Sequence, residues 1–571
     1  MKALQELIHL VTKYKRREVK VLGYNEDGTD RNEIFYGLLA DGRLRSDDEA
    51  ARYFFGQDKD GSFTEYRNFR NSFLKRLVTT FFFIDIKRQE FNDAQAALHT
   101  CYRNMAVVKM LIAKDARHAA HEIAEKTITQ AIKYEFPEVV MELARNLRAY
   151  YTYVEQDLKK KEQYQRLVDE SMEAMVVIIK AETMYCELIA PYVKSKSSKP
   201  WVSEKARVYL TELEPLVQRH QVHKLHLYYH TIARLERASV HDHAGTAEVC
   251  RRAIRYFEGR FATPKSVPGA FALTLIISLT MLGQYEEAEG WAKYAEECAE
   301  AGTHNWFKGL EQQVVLQFYK QAYQAAYNVY NKASSHKHFG HLATVERETW
   351  KLHEAYTQLL IAAGKITPTD AVQKKSNFKP AKFLNEVPEF AKDKRGMNIP
   401  VLVAHAILLL YLQRYEESYD RMLALDKYAD RNLKEGDDAF RSYCFIKALL
   451  QIQKADFKRA GSEAGAADWL KRMSTQPYML ADAPHEVENI PYEHLWGMAM
   501  EALQRGGGVD EASLQLMAFS HTKAKSWQET RHRNNSVPQI LPLPKHQPHP
   551  CASIPSNCSS RTGRLASAQV L

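Results

Sequence analysis

Apolar residues recur at intervals of three and four positions through most of this 571-residue chain, with polar residues between them. This spacing matches the period of an α-helix and differs from the strict alternation of a half-buried strand. It is clear in TEYRNFRNSFLKRLVTTFFFI, where four large apolar residues share one helical face: Tyr66, Phe69, Phe73 and Leu77. From about residue 91 to 500, helical segments alternate with short polar turns, which predicts an all-α protein.

One short pattern recurs at the predicted helix boundaries. A helix ends, an aromatic residue follows, and a small or β-branched residue comes three positions after the aromatic. The pattern occurs at Phe136 with Val139, Tyr285 with Ala288, Tyr323 with Ala326, Tyr415 with Ser418, and Phe457 with Ala460. The aromatic residue fills the gap where two antiparallel helices turn back, and the small residue lets the helices approach closely. A further small residue seven positions on, such as Ala295, continues the same face.

The combination of Gly283, Tyr285 and Ala288 resembles the tetratricopeptide repeat (TPR), in which a Gly-x-Tyr-x-x-Ala element marks the turn into the second helix. The resemblance covers roughly residues 91–500 and implies an α-solenoid of antiparallel helix pairs that binds other proteins. No repeat here ends in proline. Successive aromatic residues are 38 (Tyr285 to Tyr323) and 42 (Tyr415 to Phe457) positions apart. The family period is about 34 residues, so we expect longer helices or turns. The chain is also similar to uncharacterised bacterial TPR-like proteins, which implies no activity.

Composition divides the chain into three predicted regions. Residues 1–90 form a helical module, in which Ser46 is a suitable N-cap for the acidic first turn of DDEAARYFF. Residues 91–500 form the repeat array, with an irregular insert near residues 370–398. Residues 501–571 include a run of three glycines followed by polar, proline-containing sequence. This sequence can bury little apolar surface, so we predict a disordered tail.

Two helices of the array are apolar around most of their circumference: FALTLIISLTML and VLVAHAILLLYL. Such helices must be covered on all sides. In an open solenoid the first helix of each pair lines the concave face. Ile277 and Ile407 are therefore predicted to contact a partner helix or a neighbouring subunit. The alternative is that both residues belong to the core of the chain itself.

The formal net charge of +9 is concentrated at one end of the chain. From residue 504 onward, eight Lys or Arg residues face three acidic ones, a net +5, so the preceding residues carry only +4. Nucleic-acid binding needs a concentrated basic patch, which the array lacks. The N-terminal module is different, because helices near residues 47–55 and 65–77 fit a helix-turn-helix. The second helix carries four basic residues: Arg67, Arg70, Lys75 and Arg76. The alternative is a module that caps the array.

Metal and catalytic motifs receive little support from the sequence. Four histidines share one helical face, two of them with the i, i+4 spacing of a metal pair: His220, His223, His226 and His230. No third or fourth ligand stands nearby in a recognisable frame, so we interpret them as the polar face of an amphipathic helix. His118, His121 and Glu122 stand in the wrong order for a zinc-protease motif. A phosphate-binding loop, a nucleophile elbow and paired carboxylates are also missing from the sequence.

These observations together predict a non-catalytic scaffold for protein–protein interaction. Seven scattered cysteines indicate free thiols in a reducing compartment, and no secretory signal or membrane-length apolar run is present, so we predict the cytoplasm. We expect unidentified protein partners, no cofactor, no metal and no small-molecule ligand. The alternative function is a DNA-binding regulator, with the N-terminal module on DNA and the repeats as a sensor.

Overall fold

The structure is a computed structural model that describes residues 31–44, 46–56, 60–81, 93–194, 198–261, 263–368, 398–432, 440–475 and 488–505. These residues form twenty α-helices and one 3₁₀-helix, and no strand occurs among them. The predicted all-α fold class is therefore confirmed. The first five residues of the predicted disordered tail form the end of a helix, so that boundary is wrong. The rest of the tail, from residue 506 onward, and the predicted insert, up to residue 397, lie outside the described residues.

The chain divides into two compact units. The first comprises Met1–Lys180, His220–Leu225 and Phe261–Pro264, and the second comprises Ala181–Arg219, His226–Arg260 and Lys265–Leu571. The first unit holds α1 (Arg31–Ala40), α2 (Asp47–Phe55), α3 (Asp60–Phe81), α4 (Asp93–Ala113), α5 (Arg117–Lys133), α6 (Pro137–Tyr153) and most of α7 (Leu158–Lys194). The division into three regions that composition suggests stays a prediction.

The first three helices pack around Phe35. Its ring lies 5.5, 5.3 and 4.9 Å, between centroids, from those of Phe54, Phe69 and Phe73. Aromatic pairs in such arrangements add about 0.5–1.5 kcal/mol each beyond the area they bury. The helical face predicted for α3 is confirmed, since its members pack into this core: Tyr66, Phe69, Phe73 and Leu77.

The start of α2 is capped as the sequence predicts. The Ser46 hydroxyl accepts a hydrogen bond from the Glu49 amide at 3.1 Å. The next residue, Asp47, then holds α3 against α2, because its carboxylate accepts from the Tyr66 hydroxyl at 2.7 Å and lies 3.2 Å from Arg70 Nε. Arg70 therefore has a structural partner inside the module.

In the first unit, α4, α5 and α6 each contact the other two. The contact surface of α5 is built from small residues at helical spacing, with Ala120, Ala124 and Ala131 all buried. Small side chains at these positions let the neighbouring helices approach closely. They also leave room where a neighbour does not fill the space.

The second unit contains the rest of α7, α8 (Lys199–Arg219), most of α9 (His223–Ala238), α10 (His243–Glu258), α11 (Ser266–Met281), α12 (Tyr285–Cys298), α13 (His304–Tyr319), α14 (Tyr323–Ser334), α15 (Thr344–Ala362), α16 (Asn398–Tyr411), α17 (Tyr415–Asn432), α18 (Phe440–Lys454), α19 (Arg459–Ser474) and α20 (Tyr492–Arg505). From α10 to α20 every helix contacts the next one in sequence. Contacts that skip a helix are few, such as α11 with α13 and α16 with α20. This order of neighbours is solenoid-like.

Five helix connections use the same three-residue turn. The middle residue has a left-handed backbone with φ between 54° and 71°, at Asp115, Glu135, Gly283, Gln321 and Gln413. The following amide donates to the carbonyl oxygen five residues earlier, at 2.9 Å in every case. This is the Schellman ending of an α-helix. The donor residue directly precedes the next helix. The same residue therefore completes the hydrogen bonds at the end of the first helix and stands immediately before the second.

A buried ion pair fastens the end of the second unit. Arg441 of α18 and Glu488, both nearly inaccessible, form two hydrogen bonds of 2.7 and 2.9 Å. Arg441 also donates to the Met473 carbonyl at 3.0 Å and to the Glu493 carboxylate. Glu488 in turn accepts from the Tyr492 amide at 2.8 Å, at the start of α20. A buried charge with this many partners is strongly destabilising once one partner is removed.

Candidate interaction surface

The TPR-like pattern at residues 283–288 occupies the turn from α11 to α12. Gly283 is the left-handed residue at φ 71°, and a Cβ built on it would meet no atom within 4 Å. The backbone conformation rather than lack of space therefore favours glycine. Tyr285 is the first residue of α12 and is half-buried. Ala288 and Ala295 are buried in a core shared with Leu275 of α11, as the pattern predicts.

Two further copies of the pattern lie at equivalent positions. Tyr323 is the first residue of α14, and burial raises the pKa of its hydroxyl to about 12. Ala326 is buried one turn later. Tyr415 is the first residue of α17, and the fully buried Ser418 donates a hydrogen bond to the Ala406 carbonyl of α16 at 3.0 Å. Ser418 therefore joins its helix to the preceding one by a hydrogen bond as well as by close packing.

The predicted copy at Phe457 and Ala460 is wrong, because the helix begins one residue later relative to the aromatic residue than in the other copies. The turn from α18 to α19 has two consecutive left-handed residues, Asp456 at φ 49° and Phe457 at φ 58°. One extra residue then separates Phe457 from the helix, which begins at Arg459. Ala460 is exposed, and the buried residue three positions into the helix is Ser462. The sequence pattern missed this shift because it fixed the helix start by the aromatic residue.

Close approach between α18 and α19 depends on glycine. A Cβ on Gly461 would lie only 2.9 Å from the Ala455 Cβ, so a larger residue there would force the backbone to move. Phe457 still fills a helix junction, because its ring centroid lies 5.0 Å from that of Tyr415. The structure thus brings together two aromatic residues that the pattern identified separately.

The prediction that Ile277 and Ile407 contact a partner is also wrong. Ile407 is fully buried in α16, which packs against α15, α17 and α20 of the same unit. Ile277 is 8% exposed in α11 and packs against Val315 and Tyr319 of α13. Helices of the chain itself cover these apolar faces, so the alternative of an internal core is correct.

No helix in the described ranges is long and apolar enough to cross a membrane.

Four of the left-handed turn residues are not glycine, so the residue type alone does not predict their conformation. Gln321 stands two positions before Tyr323, and Gln413 two before Tyr415, as Gly283 stands before Tyr285. Alignment on the aromatic residue is therefore a signal that identifies these two positions. A side chain at a left-handed position costs roughly 1–2 kcal/mol relative to glycine.

The histidine face predicted near residue 226 is involved in packing. His223, His226 and His230 of α9 are buried, and the His226 ring stacks on Tyr256 with 4.2 Å between centroids. Burial lowers the pKa of His230 to about 3, so its ring is neutral at physiological pH. In the part of the chain that the structure describes, no cluster of three His, Cys, Asp or Glu residues could hold a metal. The five cysteines described there form no disulfide bond: Cys101, Cys186, Cys250, Cys298 and Cys444.

The basic residues of α3 divide into two groups. Arg70 is half-buried beside Asp47, whereas Arg67, Lys75 and Arg76 are exposed. The side chains of these three cations lie at the surface, whereas Arg70 stabilises the module itself.

An exposed apolar stripe runs along α7 in the first unit. Met172, Val176 and Ile179 are 52%, 62% and 52% exposed and follow the i, i+4, i+7 spacing of one helical face. The opposite face is buried through residues such as Ala174 and Val177. Single exposed apolar residues are common, but an aligned group of this kind is typical of a protein-binding surface. We call these three residues the α7 stripe.

The α7 stripe spans about 10 Å along the helix axis. Its side chains provide hydrophobic contact and contain no acid, base or nucleophile, so the chemistry that it supports is binding.

Comparison with known proteins gives no match: no protein-family model matches this sequence, and no curated protein matches it.

Proposed function

We propose that this protein is a non-catalytic, cytoplasmic scaffold that binds another protein through its helical-repeat surface. The observation that carries the proposal is the α7 stripe, three large apolar side chains aligned and more than half exposed on one helix. Burying the exposed parts of three such side chains would contribute roughly 2–4 kcal/mol to binding. The TPR-like turn pattern supports the same class of function.

The partner element that best fits the α7 stripe is the apolar face of an amphipathic helix. Such a face presents residues at i, i+3, i+4 and i+7, the same periodicity as the stripe. Interfaces of this kind obtain most of their affinity from a few large apolar anchors. Val176, at the centre of the stripe and the most exposed of the three, is the proposed anchor.

The proposal is tested by affinity purification of the tagged full chain from nuclease-treated lysate. Val176→Glu should abolish recovery of a stoichiometric protein partner, because the introduced charge would be buried at the interface. Val240→Glu is the matched control, because Val240 is also a half-exposed valine, outside the stripe, in the turn after α9. Circular dichroism should show the same helicity in the wild type and in both variants. Equal recovery with Val176→Glu would contradict the role of the stripe, and no nuclease-resistant partner at all would contradict the scaffold.

The second candidate function is DNA binding by the N-terminal module, favoured by the exposed Arg67, Lys75 and Arg76 of α3. The full chain is titrated onto a random duplex at several salt concentrations. Replacing all three residues by Gln should lower the salt slope of the binding constant by about 2.7, since each phosphate contact contributes about 0.9. Arg145→Gln, which removes an exposed cation of α6, is the control. Binding that is undetectable at low salt would eliminate this candidate.

A further inference from the structure

A cavity of about 260 Å³ opens between α4, α5 and α6 of the first unit. Its apolar lining includes Val108 and Ile112 of α4 and Ala120 and Ala124 of α5. The small alanine side chains leave the space that larger residues would fill. Ile112 and Tyr153, also among the lining residues, are 42% and 76% exposed. The cavity therefore reaches the surface, where a ligand can enter.

The polar groups that line this cavity include donors without an acceptor in the described chain. Asn146 Nδ2 is buried and makes no hydrogen bond. Arg117 uses Nε to bind Asp115 Oδ1 at 2.8 Å, which leaves both Nη groups without a bond to any described residue. No Asp or Glu lines the cavity. A buried donor such as Asn146 Nδ2 requires an acceptor oxygen from water or a ligand.

The remaining polar wall is held rigid by a hydrogen-bond network. Tyr151 donates its only hydroxyl hydrogen to Glu125 at 2.7 Å, so its oxygen accepts from Lys160 and from His121 Nε2, at 2.7 and 2.8 Å. The His121 ring also stacks on Tyr150 with 4.1 Å between centroids. His121 thus has a fixed ring position and forms a preorganised side of the cavity.

We infer that this cavity binds a carboxylate carried on an apolar body of about ten non-hydrogen atoms. The size follows from comparison with a 150 Å³ protein cavity that holds benzene. The carboxylate accepts hydrogen bonds from Arg117 and Asn146, and the apolar body lies against the α4 and α5 walls. Two sources share this chemistry, a free carboxylic acid and the apolar C-terminal residue of a polypeptide. The inference does not depend on the α7 stripe, and it departs from the sequence expectation that no small molecule is bound.

Recognition of the carboxylate is tested by isothermal titration calorimetry of the full chain with two pairs of ligands. The first pair is 3-phenylpropionate and its neutral amide, and the second is a short Gly/Ser peptide ending in phenylalanine, with a free or an amidated C-terminus. The free acid of at least one pair should bind on the order of tenfold or more tighter than its amide, because a charged hydrogen bond is lost in the amide. The pair that shows the difference identifies the source. Equal binding of acid and amide in both pairs, or no binding, would overturn the inference.

Variants locate the site independently of ligand choice. Arg117→Gln should weaken binding of the acid on the order of tenfold or more. Arg145→Gln should leave it unchanged, although both arginines are 57% exposed and paired with an acid. Ala124→Leu fills the cavity and should abolish binding, with thermal unfolding measured to establish that it folds. If Ala124→Leu does not fold, the comparison of the two arginine variants still shows whether the acid binds in this cavity. Equal weakening by both arginine variants, or wild-type binding by folded Ala124→Leu, would overturn the assignment.

Discussion

His353 of α15 is fully buried, and neither nitrogen of its ring makes a hydrogen bond within the described chain. The rings of Trp350 and Phe318 pack around it at 5.5 and 6.1 Å between centroids. Burial lowers the pKa of His353 from 6.5 to about 4, while the charges of Lys308 and Glu311 act on it in opposite directions. The folded protein therefore holds this ring neutral where an unfolded chain would protonate it.

The pKa difference predicts how stability depends on pH. Because the folded pKa is depressed, the unfolded state takes up the proton first as pH falls below 6.5, and stability is lost progressively towards pH 4. Linkage of the two pKa values gives a loss of about 2.5 kcal/mol between pH 7 and pH 4.5 from this residue alone. His353→Leu removes the titrating group and should lose about that much less stability over the same interval.

The assay is urea unfolding followed by circular dichroism at pH 7 and pH 4.5. The quantity compared is the change in unfolding free energy between the two pH values, so other buried histidines, such as His230 and His405, cancel between variants. His341→Leu, at an exposed position of the 3₁₀-helix Phe339–His341, is the control and should behave like the wild type. An equal loss in His353→Leu and the wild type would refute the reasoning, since His353 would then not be neutral and buried.

Three other sets of substitutions test the fold. Gly283→Ala should lower the free energy of unfolding by about 1 kcal/mol through backbone strain alone. Gln321→Gly should raise the free energy of unfolding or leave it unchanged. Urea titrations of both variants and the wild type check the sign of each change. Arg441→Met should cost about 3–5 kcal/mol because it leaves Glu488 buried without its partner. Adding Glu488→Gln should recover part of that loss in thermal denaturation, and no recovery would contradict the ion-pair argument. Ala288→Leu should cost about 1–3 kcal/mol by overpacking the α11–α12 contact, and an unchanged melting temperature would show that the contact is loose.

Helical periodicity predicted the secondary structure well, because burial of one face imposes the same spacing on most of the helices. The aromatic residues at Tyr285, Tyr323 and Tyr415 also marked three helix starts correctly, since each fills a turn of the same length. The pattern failed at Phe457, where an added left-handed residue changes the turn. A turn with one more residue leaves no trace in the spacing of aromatic to small residue.

The candidate surfaces were much harder to predict from the sequence. Ile277 has the composition expected of a partner contact, but which helices cover it depends on packing between elements distant in sequence. The α7 stripe was missed for the converse reason. Met172 and Val176 look like ordinary core residues, and only the structure shows that their side chains are more than half exposed. The cavity arises from alanines on α5 facing α4, a combination that no local pattern reveals.

The three-residue turn has a consequence for insertions and deletions. A single residue added beside Gly283 would rotate all of α12 by about 100° about its axis and carry Ala288 away from α11. Length changes should therefore be tolerated poorly at the five compact turns. They should be tolerated better in the connection from Ser335 to Ala343, which contains its own short 3₁₀-helix. An epitope tag for detecting this protein in cells should therefore be placed in that connection rather than in one of the five compact turns.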